Sequence, residues 1–426
     1  MPLAPVVDRS DFPALHRTYG QSELVYLDSA ATSLKPRAVI EAEADFYARL
    51  DGAVHRGAHQ VAVEATETYE GARERFAAFT GAEPSEITWT KNATEALNTV
   101  AYALLNATLD ARGSARERSR IDPRFVIDEG DVIAVTQAEH HANFVPFQQL
   151  ARRTGAEFVV IDVHDDGRID LESARALPDR TKVVAFTHAS NVTGAISPVA
   201  ELVEVARERG ALTVLDACQS AAHLPLDLHS LGVDCAAMST HKMLGPTGVG
   251  VLYLRGELGS RLPPMLTGGS MVAVVRAEET IFMPAPQKWE AGTQMTAQIA
   301  GVGAMVDYLE GVGMDRIARH DLALGDYLVR AISSIEGVRI MGPTTGERLG
   351  LVSFQVGDVH PHDVGQYLDA AGIAVRVGHH CAQPIHRRLG VQSSTRASVG
   401  PYTHPDEIDA FAARLAGVLD FFQGNP

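Results

Sequence analysis

From about Leu24 to Ala300, short apolar runs alternate with amphipathic stretches, and no other feature of the sequence limits the fold as tightly. The runs include Val132–Val135, Phe158–Ile161, Val183–Phe186, Leu212–Leu215 and Cys235–Met238. Between them lie stretches such as Pro198–Arg209, whose apolar residues recur at three- and four-residue spacing, the period of a helix. Strands alternating with helices predict an α/β domain built on a mostly parallel sheet. Such sheets bind ligands at the carboxyl ends of their strands, so polar residues there are the candidates for chemistry.

Beyond about residue 300 the texture changes. A long helical stretch, Gly301–Ser334, is followed by strand-like Leu351–Val356, a helix near His362–Ala371, strand-like Ala374–Val377 and a final helix opened by His404-Pro405-Asp406-Glu407. Proline and acids suit a first helical turn. With 426 residues, too many for one ordinary core, the chain divides into two expected domains. Residues 1–296 form an N-terminal arm and the large α/β domain, and residues 297–426 a small α+β domain. The polar, aperiodic stretch Asn106–Arg124 reads as a surface insertion.

The formal net charge of −16 argues against a nucleic-acid or anionic-membrane surface, both of which need clustered positive charge. No apolar run reaches bilayer length, and the stretch from Met1 to Leu15 lacks the apolar centre of a secretory signal. Three cysteines, Cys218, Cys235 and Cys381, are too few for a disulfide scaffold, which makes a reducing cytoplasm the expected compartment.

The run Leu212–Asp216 places a carboxylate at a strand end, and a later strand ends in Ser239-Thr240-His241-Lys242. A lysine and an aspartate at one sheet edge fit pyridoxal 5′-phosphate (PLP), the lysine as a Schiff-base anchor and the aspartate as partner of the ring nitrogen. Alone, each has a plainer reading: a turn aspartate and a solvated lysine. Ile87–Thr90 followed by Lys91–Asn98 reads as a strand, a turn and a helix start, where backbone N–H groups and Thr94 can seat a phosphate, or merely cap a helix. His140, after the Val132–Val135 strand, can stack on a ring and move protons, or be a surface residue. In Arg376-Val377-Gly378-His379-His380-Cys381 the thiol follows a strand among cationic neighbours, which favour the thiolate. Cys218 and Cys235 sit in apolar surroundings that suit core residues. A zinc site of His379, His380, Cys381 and His386 competes, although adjacent residues of extended chain point opposite ways. Arg396 can hold a carboxylate through two parallel hydrogen bonds or form a structural ion pair.

Together these segments resemble the group II, or Suf-type, cysteine desulfurases of aminotransferase class V. The likeness runs from Tyr26-Leu27-Asp28-Ser29-Ala30-Ala31 to the final helix. It includes Val54-His55-Arg56-Gly57-Ala58-His59, Glu139-His140-His141-Ala142-Asn143, Asp216-Ala217-Cys218-Gln219-Ser220, His241-Lys242-Met243-Leu244-Gly245-Pro246, Gly268-Gly269-Ser270-Met271 and Glu290-Ala291-Gly292-Thr293. The resemblance implies the type I PLP-dependent transferase fold, like that of aspartate aminotransferase, and a homodimer. It implies that Lys242 anchors PLP, Asp216 meets the ring nitrogen, Gln219 the ring oxygen, and His140 the ring face. Thr94, Ser239 and His241 would hold the phosphate, with Thr293 supplied by the neighbouring subunit. Asn191 and Arg396 would orient the substrate carboxylate, with His55 and Arg376 lining the entrance.

By the same resemblance, Cys381 would take the sulfur of L-cysteine as a persulfide and leave alanine. The sulfur would pass to an acceptor protein of the SufE or SufU kind, or to a thiol reductant, for iron–sulfur cluster or other sulfur-containing products. Selenocysteine lyase, or a carbon–sulfur lyase acting on a cysteine conjugate, shares most of these residues. The chain departs from the family at Val399-Gly400-Pro401-Tyr402-Thr403-His404, at Gln294 and at Met271-Val272-Ala273, positions expected near the entrance or interface.

Overall fold

The computed structural model describes residues 4–19, 22–113, 118–119 and 121–424. The apolar runs become a seven-stranded sheet: β1 (Ile87–Thr90), β2 (Val132–Thr136), β3 (Glu157–Ile161), β4 (Thr181–Thr187), β5 (Leu212–Asp216), β6 (Cys235–Ser239) and β7 (Gly250–Leu254), in spatial order β1-β7-β6-β5-β4-β2-β3. β2 to β6 run parallel, and β7 is antiparallel to both its neighbours. Most of these strands are buried throughout, which explains why they read as continuous rather than alternating apolar runs. After α1 (Arg37–Asp45), the helices covering the sheet include α2 (Gln60–Phe79), α3 (Ala93–Ala111), α4 (His141–Thr154) and α5 (Val199–Glu208).

A two-stranded hairpin, β8 (Val272–Val275) with β9 (Thr280–Phe282), stands out from this body with Val275 and Ile281 exposed. The helical stretch expected over 301–334 is two helices, α6 (Thr296–Val312) and α7 (Met314–Ser333). They part at Gly313, whose φ of 90° a side chain would disfavour. α6 packs on α1 and α2, and Ile299, Val302, Met305 and Val306 join the large core. Leu324, Leu328 and Ile332 of α7 join the other core. Ile317, at the start of α7, still joins the large core, so the change from one core to the other falls within α7.

The small domain is a four-stranded antiparallel sheet, β10 (Val338–Met341), β11 (Leu351–Val356), β12 (Arg376–Gly378) and β13 (Ser394–Ser398), in the order β10-β11-β13-β12. Helices α7, α8 (Pro361–Asp369) and α9 (Pro405–Ala416) cover it. The start signal read at His404 holds: its side chain accepts from Asp406 N–H while Glu407 reaches back to the His404 N–H. The strand expected over 374–377 is divided. Ile373–Ala374 pairs in parallel with Val25–Tyr26 of the N-terminal arm, whereas Arg376–Gly378 pairs with β13. Phe12 and Leu15 of the arm join the large core and Leu27 the small-domain core, so the arm packs on both.

Of the expected insertion, Asn106–Ala111 is the end of α3, with Ala107 and Thr108 buried; residues 114–117 and 120 lie outside the described residues. No helix among the described residues is long and apolar enough to cross a membrane.

Candidate active site

At the carboxyl ends of the parallel strands, where the two domains meet, lies a cavity of about 380 Å³. Thr94, His140, Asn191, Asp216, Gln219, Ser239, His241, Lys242, Arg376, Cys381 and Arg396 all line it. Asp216 ends β5, Ser239 ends β6, and Lys242 closes the short turn after β6. Asn92, Ala93 and Thr94 bring the amino end of α3 to the same space, and Ala93 N–H donates to Ser239 Oγ at 3.0 Å. That close approach depends on Gly250 of β7, where an added Cβ would lie 2.2 Å from the Asn92 carbonyl carbon.

His140 caps α4. Its Nδ1 accepts the Ala142 N–H at 3.0 Å, so the ring proton resides on Nε2. Burial, then the nearby Lys242, push its pKa down to about 4, so the imidazole is neutral at physiological pH. Asp216 is 5% exposed; its Oδ1 accepts the Cys218 N–H at 3.0 Å, and among the described residues it has no ion-pair partner. A buried carboxylate of this kind calls for a cationic N–H. The pyridinium of PLP would supply one; Lys242 would then be its covalent anchor, and the α3 terminus, Thr94, Ser239 and His241 its phosphate seat. The donor set fits the cofactor.

Arg376 and Arg396 are direct partners across β12 and β13, so both reach the cavity from one face. Arg396 is 2% exposed; Nη1 donates to the Asn191 carbonyl at 2.8 Å and Nη2 lies 3.5 Å from Asp28 Oδ1, while Nε has no partner. An orphaned guanidinium N–H deep in a cavity is suited to a carboxylate.

Cys381 is the exposed thiol, and Cys218 and Cys235 are buried, with burial pushing their pKa values well up. His380 and Cys381 both adopt left-handed φ, 49° and 54°, which non-glycine residues rarely do. Hydrogen bonds hold this conformation: Asn191 Nδ2 donates to the His380 carbonyl at 2.6 Å, and His141 N–H to the Cys381 carbonyl at 2.6 Å. His380 Nε2 and His386 Nε2 converge on Ser394 Oγ, at 2.8 and 3.0 Å. The competing zinc grouping does not form, since no three His, Cys, Asp or Glu side chains among the described residues have metal-holding geometry. A second, largely apolar cavity of about 320 Å³ between α3 and α4 also opens on Cys381.

Two expected residues lie elsewhere in the single chain. Thr293 lines a separate depression with Lys91 and Glu95. His55, expected at the entrance, sits on another face, with Nε2 2.6 Å from Glu70 Oε1. Sequence reasoning missed three others. Asp28 braces Arg396 and lies 4.0 Å from Arg376; a carboxylate closing the Val25–Leu27 apolar run was the available signal. Lys35 Nζ donates to the His241 carbonyl at 2.9 Å, and burial lowers its pKa to about 8. Glu139 lies fully buried behind His140, accepting from Asn143 Nδ2 at 2.6 Å and Thr187 N–H at 2.7 Å.

The Aminotransferase class-V family profile matches residues 25–115 and 120–411. A probable cysteine desulfurase 2 of Mycobacterium leprae is 52% identical over 423 residues, covering 99% of this chain and 98% of that protein. The structure of the cysteine desulfurase of Thermococcus onnurineus NA1 superposes with a TM-score of 0.87 at 35% identity, covering 98% of each chain. That of the Escherichia coli cysteine desulfurase CsdA, in S-sulfonic acid form, gives 0.85 at 34% identity, covering 97% of this chain and 98% of that one. The match spans the arm, the large sheet and the Cys381 loop alike, and the chain belongs to the aminotransferase class-V family.

Proposed function

We propose that this chain uses PLP to remove the sulfur of L-cysteine, giving L-alanine and a persulfide on Cys381. One observation carries the reading: an exposed thiol lines the same cavity as Lys242, Asp216 and the Arg396 guanidinium, whose Nε has no partner. When bound, PLP supplies an electron sink for the bonds at the substrate Cα. Lys242 Nζ anchors the cofactor and takes the Cα proton. Asp216 keeps the ring nitrogen protonated, Gln219 meets the ring oxygen, and neutral His140 covers the ring face. Arg396 and Asn191 hold the substrate carboxylate, with Arg376 at the entrance. The Cys381 Sγ thiolate attacks the substrate sulfur; an S–S bond forms as the C–S bond breaks, and a proton delivered to the carbon completes alanine.

The persulfide then passes to an acceptor protein of the SufE or SufU kind, or to a thiol reductant, for iron–sulfur cluster assembly or other sulfur-containing products. A cytoplasmic setting suits three cysteines that are all free. Thr293 and His55, remote from the cavity of their own chain, act in that of a second copy, so the working form is a homodimer.

The test is alanine formation from L-cysteine, with selenocysteine and S-substituted cysteine compared, and mass spectrometry of Cys381 for one added sulfur. Cys381→Ala should keep the cofactor's visible band and lose alanine production. Full-rate alanine from that variant with only ordinary thiols present would refute the Cys381 mechanism.

A further inference from the structure

The loop Asn191–Gly194 presents four successive carbonyls at the domain boundary, and each accepts a hydrogen bond from the small domain. Asn191 O accepts from Arg396 Nη1 at 2.8 Å, Val192 O from Ser353 Oγ at 2.6 Å, Thr193 O from Arg348 Nη2 at 3.1 Å, and Gly194 O from Leu349 N–H at 2.9 Å. Three of the four donors are side chains, so the seam depends on residue identity.

Arg348 is its most unusual member. It is 1% exposed and has no ion-pair partner among the described residues; its guanidinium is spread over the carbonyls of Thr193, Pro343 and Leu351. Burial lowers its pKa to about 10, which leaves it charged at neutral pH. A buried, unpaired cation is costly, and an apolar side chain of similar length would fill the space at less expense. Gly194 makes the approach possible, since at its φ of +73° a Cβ would lie 2.9 Å from Arg348 Nη2 and 3.0 Å from the Leu351 carbonyl.

We infer that Arg348 is a positioning residue, a charged clamp that fixes the 191–194 loop to the small domain and thereby sets Arg396 and Asn191 against Cys381. The Asn191 carbonyl orients Arg396, while the Asn191 side chain donates to the His380 carbonyl, next to Cys381. Carboxylate seat and thiol loop thus share one reference point. The inference rests on the proposed roles of Asn191 and Arg396.

The experiment compares Arg348→Met, Arg348→Lys and Ser353→Ala with the unmodified holoenzyme. Arg348→Met should raise KM for L-cysteine about tenfold, the loss from one misplaced charge-assisted hydrogen bond, with a smaller change in kcat. Amide exchange over residues 191–195 should quicken while the cofactor band is retained. Arg348→Lys should recover part of the KM. Ser353→Ala, which removes an uncharged donor, should move KM and exchange the same way by less, and it decides the matter if Arg348→Met does not fold. An unchanged KM in the variants that fold, or KM and kcat both altered only in step with lost cofactor, overturns the inference. If the unmodified protein makes no alanine, the proposed function fails, whereas the exchange measurement still tests whether Arg348 clamps the loop.

Discussion

His140, His188 and His241 are each pushed down to about 4, and His380 to about 2, with burial the largest cause every time. A histidine with a depressed folded pKa binds fewer protons folded than unfolded between the two pKa values, so stability rises with pH across that window. Glu139, pushed up to about 8 by burial, acts in the opposite sense as the lone carboxyl shifted that far upward among the described residues. Burial also lowers His141, His320 and His386 and raises Asp28, so depressed histidines outnumber raised carboxyls, a net loss of stability as pH falls from about 6.5 towards 4. The urea midpoint of the cofactor-free protein should therefore be lower at about pH 5 than at pH 7, and His188→Gln should shrink the difference. A midpoint independent of pH over that range would contradict the neutral assignment. At this scale the sequence is uneven in what it discloses. Asp216 and Lys242 were legible because a charged residue ending an apolar run is conspicuous. Asp28 was quoted within a motif but given no role, because only the pairing of β12 with β13 reveals the two arginines it faces. The Asn191–Gly194 carbonyls were invisible, since every residue carries one.

The elements that build the site were readable where burial is uniform along them and misread where it is not. β2, β5 and β6 are buried at every position, so their apolar runs mark them without ambiguity. The 301–334 stretch keeps helical periodicity across Gly313, yet beyond Ile317 its buried face passes from one core to the other, which periodicity alone does not report. The 374–377 stretch fails for a related reason: its two halves pair with strands distant in sequence. β7 supplies an element-scale prediction. A Cβ on Gly250 would lie 2.2 Å from the Asn92 carbonyl carbon and 2.7 Å from the Ala93 nitrogen, so Gly250→Ala must displace the amino end of α3. The cost should be about 1–3 kcal/mol of stability, the usual range for overpacking a tight core. Because the displaced turn is the proposed phosphate seat, PLP should also dissociate faster on dialysis, followed by loss of the visible band. A variant that is destabilised yet holds PLP as tightly as the unmodified protein would separate α3 from phosphate binding.

For the whole molecule, what one chain leaves undone matters most. Its cavity holds Lys242, Asp216, Arg396 and Cys381, the proposed anchor, ring-nitrogen partner, carboxylate seat and sulfur acceptor, but Thr293 and His55 lie outside it. The β8–β9 hairpin meanwhile exposes Val274, Val275 at 64% and Ile281 at 49%. Val274 and Ile281 stand opposite one another on one face of this ladder, and exposed apolar side chains paired in this way favour burial against another surface; a second copy is the partner that would also bring in Thr293. Burying two such side chains contributes about 1.5–3 kcal/mol each, enough for their loss to shift a dimer equilibrium by one or more orders of magnitude. Val274→Asp together with Ile281→Asp should therefore move the protein from dimer towards monomer in sedimentation velocity. PLP retention should fall with it, because each seat would lose the neighbouring Thr293. Thr293→Ala should weaken PLP retention while leaving the dimer intact, which separates the contribution of the hydroxyl from that of assembly. A double variant that remains dimeric at low micromolar concentration would place the interface on another face.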